Sequence, residues 1–131
     1  MTNERRLQLN KERLSNPKIS PLLREKVLKV IADLEAENIK PLITDGFRSN
    51  YEQNQLFALG RTKRGKIVTN ARGGQSNHNF GRAVDMAFVD ESGTVVWDLK
   101  LYKRLGVIAK LYGLKWGGDW RKHKDNPHLE L

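Results

Sequence analysis

Apolar residues recur every three or four positions in two stretches of the chain, which is the spacing of one helix face. The first stretch predicts a helix that begins after Ser20 and runs from Pro21 to Ala36, with proline at the first helical position. The second predicts an amphipathic helix that Asp98 caps and Gly113 ends. The apolar positions are Leu23, Val27, Val30, Ile31 and Leu34 in the first helix, and Leu101, Tyr102, Leu105, Ile108, Ala109 and Tyr112 in the second.

A different pattern, strict alternation, predicts a strand from Ala83 to Val89. Val84, Met86 and Phe88 are expected to face the core, while Ala83, Asp85 and Ala87 share the opposite face. The remaining predicted elements are strands at 41–44, at 94–97 (after a turn at 91–93), after Gly113 and near His128, a helix from Asn50 to Gly60, and a long loop at 61–77. Together they predict an α+β fold with a small antiparallel sheet flanked by helices.

Length and composition narrow the class of protein further. The 131 residues fit one domain, with residues 1–19 as a helical extension at its N-terminus. Lysine and arginine number 24 against 15 acidic residues, and the net charge of +9 favours a polyanion such as nucleic acid, anionic lipid or a bacterial wall polymer. The lack of cysteine excludes disulfides, cysteine-ligated metals and a cysteine nucleophile. No apolar run suits a bilayer span or a signal peptide.

Three histidines are the main candidates for chemistry, and two of them have a carboxylate nearby in the sequence. His78 lies seven residues before Asp85, so a straight strand would place the two side chains on opposite faces. Gly81 lies between them and can provide the bend that makes them converge. With His128, these residues offer two nitrogens and one oxygen, a set typical of catalytic zinc with an open position for water. We therefore predict a zinc site at His78, Asp85 and His128.

Asp125 is the candidate for proton transfer, because it precedes His128 by three residues in a segment that Pro127 keeps from being helical. Spacing alone leaves other interpretations open. Asp125 can be a solvated turn residue, and isolated histidines and aspartates often serve as caps or members of ion pairs. His123 can replace His128 as a ligand, and the same ligand types also bind iron(II) in oxygenases, which usually have a larger all-β scaffold.

The basic charge also permits a small nucleic-acid-binding protein. No RNA-recognition, helix-turn-helix or zinc-finger signature is present, and nucleic-acid binding would give the three candidate ligands no common role. We therefore expect no specific binding to nucleic acid.

Several motifs together resemble one known family. The pattern Ser76-x-His78-x-x-Gly81-x-Ala83-x-Asp85, followed by Asp125-x-x-His128, resembles the zinc D-alanyl-D-alanine carboxypeptidase superfamily of bacteria and phages, which has a hedgehog-like zinc peptidase fold. Within it the chain is most similar to small L-alanyl-D-glutamate endopeptidases, found as wall hydrolases and phage endolysins. The likeness covers roughly residues 20–131 and includes Asp45–Ser49, Glu52–Gln53, Leu56–Thr62, Gly65–Ala71 and Trp116–Trp120.

The resemblance implies a role for each matching residue. It implies one Zn²⁺ per chain, with His78, Asp85 and His128 as ligands. Asp125 matches the carboxylate that acts as general base, which is glutamate in some relatives.

Two more positions match substrate-binding residues of the family. Arg48 matches an arginine that holds a substrate oxygen or carboxylate, although a salt bridge with Asp45 would also explain it. Ser76 matches a hydroxyl that can hydrogen-bond substrate, although a loop cap would explain it equally. Gln53 matches as well, but a place in a capping box at the start of its helix accounts for it. Trp116 and Trp120 are expected in the core or in the wall of the site.

The function implied is hydrolysis of the L-alanyl-D-glutamate bond in peptidoglycan stem peptides, by a bacteriolytic, antimicrobial phage endolysin. The alternative within the superfamily is a D-alanyl-D-alanine carboxypeptidase or dipeptidase. No separate wall-binding domain is evident, so the net charge of +9 is a candidate for attraction to anionic wall or outer-membrane polymers, unless it merely solvates the surface. We expect a monomer that stays in the host cytoplasm until its release to the wall. The alternative is an exported enzyme whose leader is absent from this sequence.

Overall fold

In a computed structural model that describes residues 1–131, four α-helices surround one five-stranded antiparallel sheet. The helices are α1 (Asn3–Leu14), α2 (Pro21–Ala36), α3 (Asn50–Ala58) and α4 (Leu99–Leu111). The strands are β1 (Lys40–Asp45), β2 (Ala83–Val89), β3 (Val95–Val96), β4 (Lys115–Trp116) and β5 (His128–Glu130). Two short 3₁₀ turns span Asn77–Phe80 and Gly117–Asp119. The sheet order is β1-β2-β5-β4, with β3 paired to the far end of β2.

The predicted helices α2 and α4 are confirmed, and α4 has the expected cap. The Ser20 hydroxyl accepts a hydrogen bond from the N–H of Leu23, and the Asp98 carboxylate accepts one from the N–H of Lys100. The predicted strands are also confirmed, although β3 is shorter than expected. The N–H of Thr94 bonds to the side chain of Asp90 within the preceding turn, so the strand starts only at Val95.

The third helix begins at Asn50 as predicted but ends earlier than Gly60. Leu59 has extended backbone angles, so the helix stops at Ala58. The capping box at its start consists of Ser49 and Glu52. The prediction that a capping box accounts for Gln53 is therefore wrong, because Gln53 lies one residue beyond the box and is fully buried.

The core lies between the sheet and the pair α2 and α4. Val84, Met86 and Phe88 of β2 are completely buried there, as the alternation predicts. On the other face of β2, Ala83 pairs with Glu130 of β5 and Asp85 pairs with His128. The small side chain of Ala83 leaves space beside the carboxylate of Asp85.

Helix α1 packs on β1 through polar side chains. The amide of Asn10 donates to the carbonyl of Pro41 and accepts from the N–H of Ile43, and the guanidinium of Arg6 also donates to Pro41. Both polar residues are at most 5% exposed. Because buried polar groups are costly without partners, these hydrogen bonds attach α1 firmly to the sheet. No helix combines the length and the apolar character needed to span a membrane.

Candidate metal centre

The 3₁₀ turn at 77–80 carries His78 toward Asp85. The Ser76 hydroxyl caps the turn by accepting a hydrogen bond from the N–H of His78, and Gly81 ends it with a left-handed φ of 66°. The Gly81 carbonyl then accepts a hydrogen bond from the N–H of Ser20, which attaches the bend to the start of α2. The predicted bend at Gly81 is confirmed, and it places His78 and Asp85 side by side.

Strand pairing brings the third residue to the same place. His128 in β5 lies directly opposite Asp85 in β2. The Oδ1 atom of Asp85 is 3.1 Å from Nδ1 of His128 and 3.3 Å from Nε2 of His78. One donor atom from each of the three residues lies within 4.8 Å of the other two, and both histidines are at most 5% exposed. The three residues that the spacing singled out therefore form one cluster.

Each imidazole presents a defined nitrogen to this cluster. Nδ1 of His78 is 2.8 Å from the Gly46 carbonyl, which can only accept, so this nitrogen donates and Nε2 faces Asp85. Nε2 of His128 is 2.7 Å from the Glu130 carboxylate, so Nδ1 faces Asp85. Two imidazole nitrogens and one carboxylate oxygen thus point at a common space, and this donor set fits Zn²⁺.

The charges of the cluster are strongly coupled. Burial lowers the pKa of His128, but its hydrogen bonds to Asp85 and Glu130 outweigh burial and raise the pKa to about 9. Burial likewise raises the pKa of Asp85, yet the hydrogen bonds from both histidines hold that pKa far below its usual range. The carboxylates of Asp85 and Glu130 therefore favour positive charge beside them, which a proton or a metal cation can supply.

Asp125 lies beside the cluster at the edge of the cavity. Its Oδ2 atom is 3.9 Å from Nδ1 of His128, and its side chain is 44% exposed. Burial and the charge of Asp85 raise its pKa above the usual value for aspartate. A backbone hydrogen bond from Asp125 to the carbonyl of Gly117 fixes the loop, and a Cβ at Gly117 would lie 2.3 Å from the carbonyl oxygen of Asp125. The loop that carries Asp125 to the cluster therefore requires glycine at position 117, where the two backbone segments are in close contact.

Arg48 lines the same cavity. Its guanidinium donates to Oε1 of Gln53 at 2.8 Å and forms an ion pair with Asp45, so the salt bridge that the sequence left open is present. Gln53 in turn donates to the carbonyl of Ala71 at 2.9 Å. Sequence reasoning missed this link between Arg48 and the long loop. The capping-box interpretation gave Gln53 a local role, so the sequence offered no reason to expect this contact.

The other candidates have distinct places. Ser76 caps the 3₁₀ turn, as its alternative interpretation held, and also lines the cavity. His123 is exposed and outside the cluster, so it does not replace His128. Trp120 packs against the ring of His128 with 5.0 Å between ring centroids, and Trp116 is a core residue, so both tryptophans lie where expected.

The cluster lies in an open cavity of about 1040 Å³. Its walls come from the segment 67–71, the turn at 75–78 and the loop that carries Trp120, His123 and Asp125. The loop at 61–77 contains no helix or strand before Asn77, and its exposed basic residues, Arg61, Lys63, Arg64, Lys66 and Arg72, lie next to one wall. A cavity this wide admits an extended peptide.

Glu130 is a residue at the site that the sequence analysis did not single out. It follows His128 by two positions in β5, so both side chains point to the same face of the sheet. This spacing was the only signal available, and the sequence offered no reason to select it among other acidic residues.

Comparisons with known proteins agree with this arrangement. A family model described as D-alanyl-D-alanine carboxypeptidase matches residues 69–131. The peptidoglycan L-alanyl-D-glutamate endopeptidase CwlK of Bacillus subtilis (strain 168) is 40% identical over 122 residues, which cover 86% of this chain and 73% of that protein. The L-alanyl-D-glutamate peptidase of Listeria phage A118 is 34% identical over 98 residues, covering 68% of this chain and 34% of the phage protein.

A solved structure shows the same fold. The L-Ala D-Glu endopeptidase ChiX of Serratia marcescens superposes with a TM-score of 0.71 at 23% identity, covering 94% of this chain and 86% of that one. The chain belongs to the zinc D-alanyl-D-alanine carboxypeptidase superfamily, within which its sequence relatives are L-alanyl-D-glutamate endopeptidases. The fold class predicted from the motifs is confirmed.

Proposed function

We propose that the protein is a zinc endopeptidase that hydrolyses the L-alanyl-D-glutamate bond of peptidoglycan stem peptides. The observation that carries this proposal is the convergence of two imidazoles and a carboxylate beside Asp125 in an open cavity. The 40% identity to CwlK over most of both chains supports the choice of bond. The substrate on this proposal is the stem peptide, lying along the cavity between Arg48 and Asp125.

His78, Asp85 and His128 are the proposed ligands of one Zn²⁺ per chain. Zinc bound there supplies Lewis acidity, which polarises a carbonyl group and makes water more acidic near neutral pH. The hydrogen bonds to the carbonyl of Gly46 and to Glu130 hold the two rings with their free nitrogens toward that position.

Asp125 is the proposed general base. Burial and the charge of Asp85 raise the pKa of Asp125, which makes it a better proton acceptor than an ordinary aspartate. On this proposal Asp125 takes the proton of the attacking water and delivers it to the amine of the departing D-glutamate. Its side chain is 44% exposed at the edge of the cavity, where both groups can approach it.

Arg48 and Ser76 are the proposed substrate-binding residues. The guanidinium of Arg48 is fixed by Asp45 and Gln53, so it can contact a carboxylate or the developing oxyanion without losing much side-chain freedom. The hydroxyl of Ser76 already accepts the N–H of His78, and its own proton remains available for a substrate oxygen.

The phage relative supports the role of an endolysin that acts on the host wall at lysis, with bacteriolytic activity as the result. On this proposal residues 1–131 form one peptidase domain that works as a monomer and is made in the cytoplasm. Export is the alternative. The net charge of +9 then attracts the enzyme to anionic wall or outer-membrane polymers, and no specific nucleic acid is a partner.

Mass spectrometry of digested sacculi tests the proposal. Fragments with a new N-terminal D-glutamate are expected from the wild-type enzyme, and none after treatment with a chelator. Asp125→Ala should still bind zinc while its kcat falls by about 10²–10⁴, the usual contribution of a general base. The control is Asp119→Ala, which removes an exposed partner of Lys110 and should cleave at the wild-type rate.

A second candidate is a D-alanyl-D-alanine carboxypeptidase, which the description of the matching family model favours. The same digest separates the two functions, because the carboxypeptidase releases terminal D-alanine and creates no N-terminal D-glutamate. Release of D-alanine without any new N-terminal D-glutamate would show that the enzyme cleaves the D-alanyl-D-alanine bond instead of the proposed one. Wild-type activity in Asp125→Ala would instead contradict the proposed base.

A further inference from the structure

We propose that Glu130 is a positioning residue that fixes the orientation of His128 and thereby sets the zinc affinity of the site. This inference rests on the proposed zinc function, and it concerns a residue outside the ligand set. The starting point is one short contact, since Oε1 of Glu130 is 2.7 Å from Nε2 of His128.

The sheet places Glu130 for this contact. His128 and Glu130 alternate with Leu129, which points into the core and is completely buried. Across the sheet, Glu130 pairs with Ala83 in β2, just as His128 pairs with Asp85. The small side chain of Ala83 leaves room on this face, where the carboxylate contacts the imidazole and is largely shielded from solvent.

The second oxygen of Glu130 is also engaged. Oε2 accepts a hydrogen bond from the side-chain amide of Asn77 at 2.7 Å, and the Glu130 side chain is only 14% exposed. Asn77 immediately precedes His78 in the 3₁₀ turn. One carboxylate therefore joins the segment that carries the first histidine to the strand that carries the second, although 53 residues separate Asn77 and Glu130 in the chain.

The contact determines which nitrogen of His128 is free. A carboxylate accepts hydrogen bonds, so Nε2 keeps its proton, and Nδ1, which faces Asp85, is the nitrogen that gives up its proton when a metal binds. Without Glu130, the ring can rotate or change tautomer, and a part of the population presents the wrong nitrogen. The negative charge also makes the imidazole a stronger electron donor to a cation. Both effects act on metal binding through His128, without any contact between Glu130 and substrate.

Zinc affinity is the quantity to measure, by competition with a chromophoric chelator at a fixed neutral pH. Loss of an outer carboxylate partner typically weakens metal binding by about 10–100-fold, and we expect this range for Glu130→Ala. Glu130→Gln keeps an acceptor for Nε2 but loses the charge, so its zinc affinity should lie between those of the wild type and Glu130→Ala. Asn77→Ala frees the carboxylate on one side and should also weaken zinc binding.

The matched control is Glu37→Gln, which removes a surface carboxylate bound to Arg104 on another part of the molecule. It should bind zinc as the wild type does. A second readout is the exchange rate of the His128 Nε2 proton in the zinc-loaded, ¹⁵N-labelled protein. This proton should exchange slowly in the wild type, faster in Glu130→Ala, and slowly again in Glu130→Gln. A merely structural role would not produce this partial rescue by glutamine.

Zinc affinity within about twofold of wild type in Glu130→Ala would overturn the inference. Should that variant fail to fold, unchanged zinc affinity in both Glu130→Gln and Asn77→Ala would overturn it equally. This outcome differs from failure of the proposed function, which would appear as zinc binding without any new N-terminal D-glutamate in the digest.

Discussion

Gly81→Ala is the substitution that most directly tests how the chain assembles the metal centre. Gly81 has a left-handed φ of 66°, which costs a residue with a Cβ about 1–2 kcal/mol. In addition, a Cβ at Gly81 would lie 1.9 Å from the carbonyl oxygen of Lys18. The neighbouring backbone would have to move, and overpacking of this kind costs about 1–3 kcal/mol. Less about 0.4–1 kcal/mol for the reduced freedom of the unfolded chain, the sum predicts a loss of about 1–4.5 kcal/mol in the free energy of unfolding.

The chain offers a matched control in Gly74→Ala. Gly74 also has a left-handed φ, 84°, but a Cβ there would have no atom within 4 Å. Only the backbone cost of about 1–2 kcal/mol applies, and the reduced freedom of the unfolded chain offsets about 0.4–1 kcal/mol of it. The difference between the two variants therefore isolates the contact with Lys18.

Denaturant and thermal unfolding of the metal-free proteins measure both effects. At about 4 °C per kcal/mol for a chain of this size, Gly81→Ala should lower Tm by about 4–18 °C and Gly74→Ala by a few degrees. Because the bend also positions His78, Gly81→Ala should weaken zinc binding, whereas Gly74→Ala should not. If the two variants unfold at the same denaturant concentration, the close packing of Gly81 against Lys18 does not hold the bend in place.

Two further predictions concern the cluster and the cavity. Zinc at about 100 times its dissociation constant should stabilise the wild-type protein by about 2.7 kcal/mol, and His78→Ala should lose this stabilisation. Thermal unfolding with and without zinc measures the difference. An equal stabilisation of both proteins would place the metal at another site. Arg48→Lys should raise KM for muropeptides about tenfold while zinc affinity stays constant, because an ammonium lacks the fork that contacts Asp45 and Gln53 together. Unchanged steady-state kinetics would exclude Arg48 from substrate binding.

The main elements of the fold were predictable because they depend on local patterns. The apolar spacing of α2 and α4 and the alternation of β2 matched the structure closely. Helix α1 was foreseen only as a helical extension, since its sequence has little apolar character. Its attachment to β1 through Arg6 and Asn10 depends on backbone groups of a strand some thirty residues away, which no local pattern encodes.

The candidate site was predictable in part for the same reason. The two histidines and Asp85 carry their own signal in residue type, and Gly81 indicates the bend between them. The link from Gln53 to Arg48, and from Glu130 to His128, carries no such signal, because glutamine and glutamate at these positions have ordinary solvent-exposed interpretations. His123 and His128 could not be separated before the pairing of β5 with β2 placed one of them opposite Asp85.

Residue types and their spacing thus specify the helices, the strands, the bend and the kind of ion that the ligands prefer. Those properties depend on neighbours a few positions apart, where backbone geometry is nearly fixed. The nitrogen that each imidazole presents, and the carboxylate that holds it, follow from the packing of segments up to 53 residues apart. Such contacts depend on the relative placement of whole strands and turns, which is established only when the sheet and its core assemble together.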